Sequence, residues 1–186
     1  FRRVLFRSSF FAAAPDTWPG VGDEGRRLLA GELMAGGVVG RVVPNSDDAP
    51  WRRPGANPLW LASLNGFGWL RNLRDCGEPG AGSLAVRLVD DWTDREWRWS
   101  PISWRRDVLA ERIVSWIRHY DWLAVSADPA FPNRFVHSLS RQRVHLRRAA
   151  RTGLAGHEAV KVLKALVYAD IAFLREGKRH EKTLEQ

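Results

Sequence analysis

The chain has 186 residues, of which 45% are hydrophobic and ten are Trp, and it carries a formal net charge of +8. That length holds one core or part of a larger domain. A single cysteine, Cys76, excludes an internal disulfide framework and a thiolate zinc cluster, and the absence of any run of eighteen apolar residues excludes a membrane span.

Three of the positive charges, Arg2, Arg3 and Arg7, lie in the first seven residues, leaving about +5 for the remainder. The opening stretch "FRRVLFRSSFFAAA" imitates a signal peptide, yet "FRRVLFRS" reads as a translated sequencing-adapter oligonucleotide. Residues 1–15 are therefore expected to be an artefactual or disordered start, with the native beginning missing. Residues 16–58 place Gly, Pro and Asn every few positions, in "PDTWPG", "MAGG", "PNSDDAP" and "RRPGANP". They predict an irregular lead-in, in which the β-branched "VVGRVV" forms one strand of a small hairpin.

From residue 59 to 186 the pattern is helical. The first helix is predicted over 60–75, with Leu61, Leu64, Trp69 and Leu73 on its apolar side and "CGEPG" closing it. A second follows Gly82 through Leu84, Leu88 and Trp92. The third opens near Pro101 and Ser103 and carries Leu109, Ile113, Trp116 and Tyr120 at i, i+4, i+7 and i+11. The fourth covers about 132–150, with Phe135, Leu139, Gln142 and Leu146 on one side. The fifth, 158–174, is apolar on most of its circumference, as suits a helix with neighbours on several sides, and Gly177 is its expected stop. Antiparallel hairpins pair helices one with two and three with four. The fifth lacks a mate, as in a helical-hairpin array stopped midway.

Catalytic signatures are sparse. The sequence holds no phosphate-binding glycine loop, no zinc-protease helix and no nucleophile elbow. His137, Arg141, His145 and Arg148 form a basic stripe on the fourth helix, open to two readings: a polyanion contact or a solvated face. Gln142 and Leu146 dilute that face, which argues against nucleic acid as a partner. His119 is expected to make a favourable contact near a helix C-terminus. Asp170, the acid of the most apolar helix, either meets an Arg from a neighbouring helix or occupies a narrow polar edge. The segment "REWRWSPISW" sets Trp97, Trp99 and Trp104 beside Arg98 and Arg105. Rings and guanidinium forks in such proximity suit an acidic sugar, a nucleic-acid base or inter-helix packing.

The ordered run "LNGFGWLRNLRDCG", "LVDDWTD", "WSPISWRRDVLAERIVSWIRHYDWLA" and "FVHSLSRQRVHLRRA" is similar to the N-terminal helical region of heparinase II/III-like proteins, in their bacterial uncharacterised branch. The resemblance implies an all-α fold, an incomplete α/α toroid with a short irregular or hairpin lead-in, followed in the family by β-sandwich domains. It implies a periplasmic or cell-envelope protein that cleaves uronate-containing acidic polysaccharides by β-elimination. The family's base and acid come from later helices, so this chain is expected to be inactive alone and to pair with the remaining toroid and sandwich. No cofactor or metal is implied for this part.

What the resemblance carries over is one wall of a substrate cleft: Asn65, Trp69, Trp104, Arg105 and Arg112, to which the aromatic segment adds Trp97 and Trp99. Val108 stands where the family has an acid. Asn65 is expected to cap the first helix or reach the cleft, and Gly66 and Gly68 to permit close approach there. The alternative is a helical protein without catalysis that binds glycan or handles envelope polysaccharide.

Overall fold

The computed structural model describes residues 16–46 and 50–184. The adapter-like and signal-like start, residues 1–15, lies outside the described residues. In chain order come α1 (Gly22–Leu29), a hairpin of β1 (Glu32–Ala35) and β2 (Val38–Arg41), and a 3-10 turn (Pro50–Arg52). They are followed by α2 (Pro58–Gly66), α3 (Leu70–Asp75), α4 (Ala81–Arg95), α5 (Arg106–Val125), α6 (Phe131–Ala149) and α7 (Gly156–Leu184). The described chain is thus helical apart from one hairpin.

The hairpin pairs Glu32 with Arg41 and Ala35 with Val38. Gly36 and Gly37, both at positive φ, supply the tight turn that matches strand twist. Gly40 lies under the Trp60 ring, where a Cβ would come within 2.3 Å of the indole, and the Trp60 Nε1–H donates to the Leu33 carbonyl at 2.9 Å. The strand expected from "VVGRVV" is present.

The lead-in also holds α1, a helix where the Gly- and Pro-rich pattern predicts irregular chain. Its short amphipathic pattern is hidden among Gly and Pro, and the helix is supported by docking on α3. Gly25 is the point of contact: a Cβ there would stand 2.1 Å from the Asn72 carbonyl oxygen. The Asn72 amide and the Glu24 carboxylate bridge the same pair of helices at 2.7 Å.

The single helix expected over 60–75 is two. Phe67 takes a left-handed conformation, φ 58°, and closes α2. A non-glycine residue pays about 1–2 kcal/mol for that backbone, offset by a fully buried ring. Phe67 stacks on Trp51 at 5.4 Å, lies 4.8 Å from Trp69 and meets Trp116 edge-on. The N-cap of α2 is Asn57, whose side-chain oxygen accepts from the Leu59 and Trp60 N–H groups; Asn65 does not cap.

Helix α5 is the centre of the fold and packs against α2, α3, α4, α6 and α7. Its fully buried members include Leu109, Ile113, Trp116 and Leu123. The buried face of α7 is Val162, Ala165, Ala169 and Ala172, small residues that allow a close approach to α5. Helix α7 continues past Gly177 to Leu184; one Gly costs about 1 kcal/mol in a helix and does not by itself end one. Nor is α7 enclosed on most sides. Val160, Leu163, Val167 and Ile171 remain about half or more exposed as a stripe on its outer face.

Candidate functional site

The segment between α4 and α5 is fixed from inside. Glu96, which follows α4, has a side chain only 2% exposed and pairs with Arg52 at 2.5 Å. The same carboxylate accepts from the Ser103 hydroxyl at 2.7 Å and the Ser100 hydroxyl at 3.4 Å, and the two hydroxyls contact each other. The Glu96 carbonyl accepts from Trp104 Nε1–H at 3.0 Å. Two guanidinium groups then hold the segment's outer backbone: Arg52 donates to the Arg98 carbonyl at 2.9 Å, and Arg141 to the Trp97 carbonyl at 2.5 Å.

This framework presents Trp97 and Trp99 outward, 49% and 64% exposed, while Trp104 is 6% exposed and forms the floor. Together with Arg141, His145 and Arg148 of α6 they line a cleft of about 370 Å³. The Arg98 guanidinium stacks on Trp97, 4.5 Å from the ring centre. His145 meets Trp104 edge to face. Burial, and then the positive charges of Arg112 and Arg148, push the His145 pKa below its ordinary value, so the ring is neutral at pH 7. Arg141 and Arg148 form no ion pair among the described residues, and no carboxylate lines the cleft. An exposed aromatic surface beside guanidinium groups that have no carboxylate partner among the described residues suits a flat or ring-shaped anion.

The remaining residues expected on a substrate wall lie elsewhere. Arg112 is fully buried. It donates to Gln142 Oε1, the Asn65 carbonyl and the Ser103 carbonyl, each at 2.8 Å, and its Nη2 has no hydrogen-bond partner among the described residues. Burial pushes its pKa down to about 9, which still leaves it charged at neutral pH. Asn65 is equally enclosed: it donates to the Trp51 and Leu61 carbonyls and accepts from Trp92 Nε1–H at 2.9 Å. Trp69 is 5% exposed and donates to the Leu64 carbonyl at 3.0 Å. These three are interior residues that hold helices together, not a wall open to solvent. Arg105 is exposed but outside the cleft, paired with Asp107 at 2.6 Å.

Gly66 and Gly68 do permit a close approach, that of the Glu111 side chain from α5, which a Cβ on Gly68 would meet at 2.9 Å. Asp170 accepts from Arg143 and Arg147 of α6, one of the two roles open to it. His119 makes no surface contact at a helix end; it is buried, with Nδ1 2.8 Å from the Ser115 carbonyl.

Arg141, His145 and Arg148 were legible as a basic stripe at i, i+4 and i+7, but their placement beside Trp97 and Trp99 requires the packing of α6 over the α4–α5 segment. No cluster of His, Cys, Asp and Glu able to hold a metal occurs among the described residues. Among them, too, no helix is long and apolar enough to cross a membrane.

No family model matches the chain, and no solved structure does. It is 31% identical over 143 residues to FtsZ-localized protein C of Caulobacter vibrioides, an alignment that covers 71% of this chain and 24% of that protein. The chain therefore spans about a quarter of the length of the curated relative it matches. These findings correct the resemblance to heparinase II/III-like proteins and remove the lyase assignment that came with it. The relative's name speaks of localisation with FtsZ and not of polysaccharide cleavage. The structure supplies a physical reason for the false likeness. Asn65, Trp69 and Arg112, which the resemblance placed on a substrate wall, are core residues of a packed helical bundle.

Proposed function

We propose that this chain is a non-catalytic helical binding module that seats an acidic glycan of the bacterial envelope at the Trp97–Trp99 cleft. The observation that carries this reading is a pair of exposed indoles on a segment pinned by Glu96, Arg52 and Arg141, beside two guanidinium groups, those of Arg141 and Arg148, without carboxylate partners among the described residues. Indole faces stack on the apolar face of a pyranose, and the guanidinium forks of Arg141 and Arg148 take its carboxylate or sulfate. Preorganisation of the segment limits the ordering cost of binding. A curated relative named for localisation with FtsZ supports a place of action alongside FtsZ.

The same helices form the first part of an incomplete α/α toroid in this proposal. Support comes from the outward apolar stripe of α7, Val160, Leu163, Val167 and Ile171, which a following helical hairpin would bury.

The test is calorimetric titration of the chain with uronate-containing and neutral oligosaccharides of equal length. Binding of the acidic series alone, weakened by salt and by Trp99→Ala, is the expected result. Equal affinity for the neutral series, or no change in Trp99→Ala, would sink the reading.

A further inference from the structure

A second cavity, of about 520 Å³, lies between the lead-in, α3, α5 and α7 and shares no lining residue with the Trp97–Trp99 cleft. Its charged lining is Asp16, Arg71, Glu111, Arg118, Lys161 and Lys164. Four cations thus face two carboxylates, and their pairing is uneven. Asp16, with a side chain 1% exposed, is shared between Arg71 at 2.7 Å and Arg118 at 2.8 Å. Arg118 is further fixed by donating to the Tyr168 hydroxyl at 2.9 Å. Among the described residues Glu111 reaches only Lys161, at 3.8 Å. Lys164 has no carboxylate partner among the described residues, and Arg71 commits Nε and Nη2 to Asp16 while leaving Nη1 unused.

The excess is two positive charges in one concave space with an apolar side formed by Val21, Ala110 and Val114. A phosphomonoester carries about −1.5 to −2 at pH 7, a match that a single carboxylate does not give. The volume lies within the range of small-ligand pockets. We propose that this cavity binds a soluble phosphomonoester of sugar-phosphate or mononucleotide size. Lys161, Lys164 and the free edge of Arg71 take the phosphoryl group, Asp16 locks Arg71 and Arg118 in place behind it, and Glu111 accepts from a ligand hydroxyl. Gly68 is part of the design, since any side chain there would displace Glu111 from the cavity edge.

The test titrates the full chain with ribose 5-phosphate, adenosine 5′-monophosphate and ribose, and separately measures sedimentation with vesicles containing phosphatidic acid. The expected result is binding of at least one soluble ester, none of ribose, and a loss of at least tenfold in Lys161→Gln/Lys164→Gln, two exposed positions. The Lys161→Arg/Lys164→Arg variant should retain affinity, and Trp99→Ala should leave it unchanged, which separates this site from the glycan cleft. Failure of both esters to bind overturns the proposal, as does undiminished affinity in the double Gln variant. Binding to phosphatidic acid vesicles without binding of either soluble ester overturns it as well.

Discussion

Arg112 of α5 lies over the face of Trp92 of α4, with its guanidinium carbon 4.0 Å from the ring centre. The cation is fully buried, and the indole face replaces part of its lost hydration. It also ties three segments by hydrogen bonds: the end of α2 through Asn65, the α4–α5 segment through Ser103, and α6 through Gln142. Arg112→Ala should therefore destabilise the fold by roughly 3–5 kcal/mol, because it strands buried acceptors and opens a cavity. Urea unfolding followed by circular dichroism measures this, and a loss under 1 kcal/mol would contradict the role.

Gly25 against Asn72 makes a separate prediction about the lead-in. Gly25→Ala forces α1 away from α3, at a cost of about 1–3 kcal/mol for overpacking. Limited proteolysis should then cut within residues 16–46 faster than in the parent chain, while the helices from α4 onward stay protected.

Phe67 combines a strained backbone with a buried ring. Phe67→Ala removes the partner of Trp51, Trp69 and Trp116 and should cost about 3–5 kcal/mol. Phe67→Gly relieves the left-handed strain but loses the same ring. If both variants unfold at similar urea concentrations, ring packing outweighs strain at this break.

Trp97→Ala and Trp99→Ala change exposed side chains. Each should alter stability by no more than about 0.5 kcal/mol, yet lower acidic-glycan affinity about tenfold, or ~1.4 kcal/mol. Glu96→Gln acts differently. It keeps the rings but weakens the hold of Arg52 on the segment, so glycan affinity and thermal stability should fall together.

Acid should unfold the chain in two stages. Burial pushes the pKa values of His119 and His145 below the ordinary 6.5, so the unfolded chain binds more protons once the pH falls below that value. Stability is lost from there down to the folded values. For Asp16, burial works to raise the pKa, but Arg71, the Trp18 N–H and Arg118 more than offset it. The Asp75 pKa is lowered chiefly by Arg74. In Asp128 the hydrogen bond from Arg134 lowers the pKa to about 2. The stabilisation from these carboxylates is present above 3.8 and disappears as the pH falls through their folded values. Melting temperatures measured from pH 8 to 2 should show both losses, and His145→Gln should diminish the first.

The sequence by itself determined the helical class, the approximate spans of α4, α5 and α6, and one strand of the hairpin. Each of these rests on local periodicity or turn chemistry, which a chain carries without reference to its neighbours. It also displayed the two halves of the cleft, the Trp-Arg segment and the basic stripe of α6. Only the tertiary structure decided which of these residues meet solvent. Asn65, Trp69 and Arg112 have the residue types of a binding site, yet the packing of α5 against α2, α3, α4 and α6 encloses all three, and polar groups so enclosed bond to backbone carbonyls and neighbouring side chains instead of ligand. The break at Phe67 and the existence of α1 were likewise decided by long-range packing: a buried ring that offsets its own strain, and a glycine that fits one carbonyl of α3. Burial depends on contacts between residues far apart in the chain, and no local pattern records which partner will cover a given face.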